Sequence, residues 1–390
     1  MKKAVYMMAA AALALTSCAT DEVTDVAKSS NITFRTSVGL NSRGSELRSD
    51  NIQEMWVTAL KDSESRPGEP TRTEFSDFKF VRDGNEFVCN EHTLPWPKDR
   101  TMLFYATNPS HASLPCTFSY QSLWYNGWSC FRFENLTPNE DIALQQDILL
   151  GWNVAKASTH ASTGVQMTLG HVLPQIKVAI KNSDPNLIYR VAGIKVANVV
   201  KSRTLTFTRN FTATNLEDIA PGTAVGTTNY VTTFTPFNLP ADNQLVDITN
   251  KCKPDAPDCG IMPLPQKVSQ IVIHPDGTVS GQYFALLLNV KSKDGRRIYP
   301  AAATSDDDFG WAAVSLPEIQ WYNGNKYQYT LDLSKGCGEV DPVEPNPDGG
   351  GVVDPGGKDP DKGESIYGFK IYFDCTVTPW TDDNRDITIH

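Results

Sequence analysis

The chain has 390 residues, 40% apolar and 10% aromatic, and its formal net charge is −10. That apolar content is enough to build packed cores, which excludes a disordered protein. The acidic balance disfavours nucleic acid and anionic lipid surfaces as electrostatic partners.

The N-terminus reads as an export signal. Lys2 and Lys3 precede an apolar run from Ala4 to about Leu15, too short to span a bilayer comfortably. It ends in Leu15-Thr16-Ser17-Cys18, which resembles a bacterial lipobox, in which the cysteine thiol is acylated and becomes the new N-terminus. Residues 1–17 are then a lipoprotein signal peptide, and Cys18 is the lipidated residue. Each buried acyl CH2 adds roughly 0.8 kcal/mol of membrane affinity, so several chains anchor firmly. Removing residues 1–17 takes the charge to −12. Residues 18–30 form a flexible tether.

The body then reads as strands. In NITFRTSVGL (31–40), Ile32, Phe34, Thr36, Val38 and Leu40 alternate with Thr33, Arg35, Ser37 and Gly39. Period two means a strand with one buried face. Similar short runs are MWVTAL (55–60), TMLFYAT (101–107), SCFRFENL (129–136), QIKVAIKN (175–182), GIKVANVV (193–200), QIVIHPDG (270–277) and KYQYTLDL (326–333). Asp294-Gly295 sits between two apolar runs and signals a hairpin. Helical periodicity is scarce, and its best candidate is Ile142 to Leu150. The small, polar AKASTHASTG (155–164) marks a boundary. The pattern predicts an all-β chain of two β-sandwich domains, over 31–157 and 163–336.

Eight cysteines are present, and setting Cys18 aside leaves seven. Export permits disulfides, and Cys252 and Cys259 bracket a proline-rich loop that a disulfide between them would staple. No C-x-x-C occurs, and no metal or cofactor is implied.

From Gly336 to Gly363 the chain has eight Gly, five Pro and seven acids against two Lys. This composition predicts a disordered linker over 337–363, about 30 Å across as a coil and about 85 Å as stretched polyproline. It leads to a C-terminal segment, 364–390. There Tyr367, Phe369, Ile371, Phe373, Cys375 and Val377 alternate strictly with Gly368, Lys370, Tyr372, Asp374, Thr376 and Thr378. The result is a greasy face roughly 35–40 Å long, stopped at Pro379, which lacks an N–H. A lone strand is unstable in water. It docks either on its own sandwich as a late edge strand, or in a groove on a neighbouring molecule.

Several motifs together resemble the fimbrillin-like lipoproteins, the subunits of type V pili. They are Leu15-Thr16-Ser17-Cys18, ITFRTSV (32–38) followed by Arg43, DILLGWNVAKAST (147–159), VQMTLGHVLPQIKVAIKN (165–182), YTLDL (329–333), the Asp-Pro-rich linker and FKIYFDCTVTPW (369–380). The resemblance covers nearly the whole chain. It implies two transthyretin-like β-sandwiches in tandem and export as a lipoprotein to the outer membrane and cell surface. It also implies an arginine-specific protease that removes the lipidated first strand, at Arg43 first and Arg48 second. A neighbour's C-terminal donor strand, Tyr367 to Val377, then replaces it. The partners implied are other pilus subunits, in a fimbrium used for adhesion, with a host glycan or protein as the adhesion target. An anchor or tip component is the variant of the same reading.

Enzyme chemistry has no carrier in the sequence. G-x-S-x-G, H-E-x-x-H and phosphate-binding glycine loops are absent. His171, between Leu169 and Leu173, reads as a satisfied core histidine. Asp306-Asp307-Asp308 reads as a solvated turn, since its spacing is not that of an EF-hand loop. Trp124, Tyr125 and Trp128 suit either a sheet face or a sugar-stacking platform. The platform belongs to the rival reading, a monomeric surface lipoprotein that binds glycan or host protein with its tail folded back on its own body.

Overall fold

The computed structural model describes residues 31–38, 52–98, 100–123, 128–208, 222–254, 260–347, 352–379 and 387–389. The described chain is all-β, as the alternation predicts.

Strands β1 (Phe34–Val38), β2 (Glu54–Ser63), β3 (Arg66–Asp83), β4 (Glu86–Val88) and β5 (Thr101–Asn108) begin an N-terminal ring. A hairpin of β6 (Thr117–Leu123) and β7 (Trp128–Leu136) leaves it, and β8 (Leu149–Lys156) and β9 (Val165–His171) return to close it. The strand order is β1-β4-β3-β2-β5-β8-β9, a closed barrel and not the expected sandwich. Its interior is aromatic: Phe34, Phe80, Phe87 and Phe104 are all fully buried. The expected division between 157 and 163 falls inside this ring. AKASTHASTG supplies the end of β8, the one-turn helix α1 (Ala157–His160) and the turn into β9. Its small polar residues mark a connection between neighbouring strands of one barrel. The expected helix at Ile142 to Leu150 is one 3-10 turn, Ile142–Leu144, capped by Asp141 Oδ1 accepting from Ala143 N at 2.9 Å. Residues 145–148 are an irregular connection, and Leu149 and Leu150 open β8, pointing to opposite, equally buried faces.

The second half is a sandwich. It is built from β10 (Gln175–Lys181), β11 (Leu187–Thr208), β12 (Val225–Leu239) and β13 (Val246–Asp247), followed by the turn helix α2 (Thr249–Cys252) and β14 (Gln266–Val268). Then come β15 (Val272–Ile273), β16 (Val279–Ser280), β17 (Tyr283–Ser292), β18 (Arg297–Tyr299), β19 (Gly310–Ser315), β20 (Ile319–Trp321), β21 (Asn325–Asp332) and β22 (Glu339–Val340). The last two strands are β23 (Tyr372–Pro379) and β24 (Ile387–Ile389). One sheet has the order β13-β10-β21-β23-β24, and the other β22-β19-β17-β11-β7-β6, with β12 and β18 pairing off this path. The core between them holds Ile176, Val178 and Ile180 of β10, Phe284 and Leu286 of β17, and Tyr327, Tyr329 and Leu331 of β21. The period-two residues of KYQYTLDL thus face one core. Asp294-Gly295 turns β17 into β18, with Gly295 at φ 86°.

The two halves are not independent. The far end of β11 pairs with β7 from the first half, Phe207 opposite Phe131 and Leu205 opposite Phe133. A third core therefore lies between the ring's outer face and this sheet, with Leu103, Tyr105, Phe131, Phe133, Leu150 and Leu173 in it.

Candidate functional site: the first and last strands

Strand β1 is the seam of the ring. It runs parallel to β9 through five registered pairs, from Phe34 opposite Val165 to Val38 opposite Leu169. On its other side it meets β4 only at Phe34 opposite Phe87. Burial of Ile32 and Phe34 holds it, and the Phe34 ring lies edge-on to Phe80 at 4.9 Å and Phe104 at 5.1 Å. Burying such a side chain contributes about 1.5–3 kcal/mol. Arg35 points outward and pairs with Glu86 at 3.2 Å, with its side chain 51% exposed. Cys18, Arg43 and Arg48 lie outside the described residues.

The C-terminal strand docks on its own chain. β23 runs antiparallel to β21 through eight pairs, from Asn325 opposite Pro379 to Asp332 opposite Tyr372. Ile371 and Cys375 are buried in the sandwich core, and Phe373 and Val377 pack against it. The other two residues of the alternating face do not reach it: Tyr367 is 46% and Phe369 68% exposed. Alternation carries no information about where the supporting sheet ends. β21 starts its ladder with β23 at Tyr372, so Tyr367 and Phe369 have no β21 strand alongside them, while Ile371 at the start still reaches the core. β24, which the sequence reading did not single out, covers the outer edge of β23 with Cys375 opposite Ile389 and Val377 opposite Ile387. Its signal was the short alternation in Ile387-Thr388-Ile389.

The expected disordered linker is ordered where it is described. Composition predicts no core for it, and it has little. What holds it is polar side chains, with partners both across the fold and within the segment. Asp341 is 0% and Lys195 1% exposed at the side chain, and Lys195 Nζ stands 2.7 Å from Asp341 Oδ2. Asp341 Oδ1 accepts from Tyr283 OH at 3.0 Å and from the N–H groups of Val343 and Glu344, each at 2.9 Å. Lys195 also donates to the Glu344 carbonyl at 3.3 Å and lies over the Trp311 ring at 4.8 Å. Farther on, Asn346 Oδ1 accepts from Val352 N and Val353 N. Asp359, buried, accepts from the N–H groups of Ala301 and Asp354. A buried charge persists only when paired and hydrogen-bonded, and Asp341 is both.

The two ends of this segment also pair with each other. Gly363 N donates to Val340 O, Val340 N to Glu364 O, Ile366 N to Gly338 O, Cys337 N to Tyr367 O and Phe369 N to Lys335 O, at 2.8–3.1 Å. Glycine is required at the crossing. A Cβ on Gly336 would lie 1.6 Å from the Phe369 carbonyl oxygen, and Gly368 has φ 71°.

Two of the family-like segments meet in one contact. His171 Nδ1, at the end of β9, lies 2.9 Å from Asp147 Oδ2 and 3.0 Å from Oδ1, ahead of β8. His171 is 3% exposed, a satisfied core histidine. The three consecutive acids are each engaged. Asp306 pairs with Lys291 and Arg297, Asp307 with Arg190 at 2.7 Å, and Asp308 accepts from Thr304 N and Ser305 N. Among the described residues no group of three His, Cys, Asp or Glu is placed to hold a metal. Cys252 is a free, buried thiol and not half of the expected disulfide with Cys259: its Sγ donates to Ile248 O at 3.3 Å, and burial pushes the thiol up to about 12. Cys259, Trp124 and Tyr125 lie outside the described residues, and Trp128 opens β7. No helix among the described residues is long and apolar enough to cross a membrane.

No family model and no curated relative matches the chain. Among solved structures, it is similar to a fimbrial protein from Bacteroides vulgatus, at 15% identity and a TM-score of 0.50, covering 90% of this chain and 100% of that one. It is also similar to putative cell adhesion proteins from Bacteroides uniformis (14% identity, TM-score 0.41, 90% of this chain and 98% of that one) and Parabacteroides distasonis (9%, 0.41, 91% and 97%). The first of these likenesses fixes the fold class of the chain: it shares the architecture of a fimbrial protein, in line with the fimbrillin-like resemblance of its sequence.

Proposed function

We propose that the chain is a fimbrillin-type pilus subunit that assembles by strand exchange and serves surface adhesion. The observation that carries this reading is the placement of the two end strands. β1 closes its ring through a single pair on one side, and β23, near the opposite end of the chain, is the last long strand of its sheet, with only the three-residue β24 outside it. Loss of β1 would leave a groove between β4 and β9 floored by Phe80 and Phe104. A strand with alternating apolar residues fits such a groove, and β23 is one.

In this reading Cys18 is acylated and holds the precursor at the outer membrane. An arginine-specific protease cuts at Arg43, or failing that at Arg48, and frees the first strand. Other copies, or related subunits, then join through the tail. The sandwich half is the transthyretin-like unit, and the chain is not an enzyme. The fimbrial fold supports the assembly role.

One observation favours a second reading. β23 is already paired along its length with β21 of its own chain. A monomeric surface lipoprotein that binds glycan or host protein through Trp124 and Trp128 would keep it there, as would an anchor or tip subunit. The deciding experiment uses protein from residue 19 onward, nicked with an arginine-specific protease and run unboiled on a denaturing gel. A regular ladder, absent when residues 364–390 are deleted, is the expected result. A single monomer band in both would sink the assembling role and put the monomeric reading first.

A further inference from the structure

We infer that the strap from Lys335 to Phe369 stays closed on its own sandwich during exchange, with Lys195 and Asp341 as its positioning residues. What crosses to a neighbouring copy then begins at Lys370, not at Gly336. This inference rests on the strand-exchange reading.

Exchange is easy for groups that regain their partners. β23 trades one β-ladder for another when it moves from β21 to a neighbour's groove. The strap has no such replacement. Five backbone hydrogen bonds close its two ends on each other, and the sealed Lys195–Asp341 pair, the Tyr283–Asp341 bond, the Ala301–Asp359 bond and the backbone bonds of Trp311 with Pro345 and Asp341 tie it to this chain's own body. Opening the strap would strand a buried carboxylate and a buried ammonium without partners. It would also break the strap's contacts with Tyr283, Trp311 and Ala313 of β17 and β19, against which the strap lies.

The strap need not open for the tail to reach. Ile371 to Pro379 spans about 30 Å as a strand, longer than the five-residue run that pairs β1 with β9. The joining face then reduces to Ile371, Phe373, Cys375 and Val377. Tyr367 and Phe369, whose backbones pair with Cys337 and Lys335, stay with the strap.

The test locks the strap. Glu339 and Ser365 form an antiparallel bridge flanked by the Val340–Glu364 and Ile366–Gly338 hydrogen bonds. This is the non-hydrogen-bonded pair geometry, in which a disulfide fits. The nicked protein carrying Glu339→Cys and Ser365→Cys, oxidised, should form the same ladder as its reduced form and the parent. A monomer band when oxidised and a ladder when reduced would overturn the inference while leaving strand exchange standing. No ladder from any form, the parent included, would remove strand exchange and this inference with it.

A second arm reads the positioning role. Lys195→Met should lower ladder yield several-fold and speed proteolysis of the strap at least tenfold. Oxidising the cysteine pair in the same variant should restore the ladder. A Lys195→Met loss that the lock does not rescue would assign Lys195 to core stability alone. Phe369→Ser should leave the ladder unchanged and Phe373→Ser should shorten it. Equal loss from both would place the strap in the neighbour.

Discussion

The carboxylate of Asp147 holds the imidazole of His171 at 2.9 Å where the ring hands the chain to the sandwich. His171 ends β9, and β10 begins four residues on, so this contact fixes the exit angle from one body into the other. Replacing Asp147 by Ala leaves a buried ring N–H unpaired, a change that costs about 1–3 kcal/mol. We expect Asp147→Ala to lower the melting temperature by several degrees, and Asp147→Asn, which keeps an acceptor, by less. Equal losses would mean that the hydrogen bond is unimportant.

Phe34 should be the most sensitive residue of the first strand. Its ring fills the space between Phe80 and Phe104. Phe34→Ala should destabilise the protein by about 3–5 kcal/mol, the usual range for a buried aromatic. Arg35→Ala, whose partner Glu86 is half in solvent, should change stability by less than 1 kcal/mol. Chemical denaturation of both variants checks the contrast.

Acid should loosen the β6–β7 hairpin. His111 is packed against Tyr105 and Phe118, with Asp77 3.6 Å from its Nδ1. Burial holds its pKa below the ordinary 6.5, and Asp77 offsets this only in part. Below 6.5 the unfolded state therefore takes up the proton first. Stability is complete above that pH and is lost as pH falls from 6.5 toward the lower folded value. His111→Phe should flatten this part of the stability–pH curve, and an unchanged slope would reassign it to other groups.

Thiol accessibility should follow the docking of the tail. Burial pushes Cys337 and Cys375 each up to about 11, so neither offers a thiolate near neutrality. In the folded monomer both should resist a thiol reagent at pH 8 and react on unfolding. Fast labelling of Cys375 with Cys337 still protected would mean that β23 leaves the sheet more readily than the strap does.

Much of the architecture follows from the sequence alone. Alternation in residues 32–38 and 326–333 determines strands, since period two leaves one apolar face to bury. Asp294-Gly295 determines a turn, since Gly295 tolerates positive φ. The tertiary structure alone decided three matters. It put β9 in the first body and not the second, because ring closure depends on pairing with a strand more than a hundred residues away. It left Tyr367 and Phe369 exposed, because burial depends on where β21 ends beneath them. It ordered the proline- and glycine-rich segment, because Asp341 and Asp359 find partners across the fold, and Asn346 within the segment, that composition does not count. The one trace of that order in the sequence was Tyr283 to Leu288, apolar without alternation. Such a strand is covered on both faces, and the strap is part of its second cover.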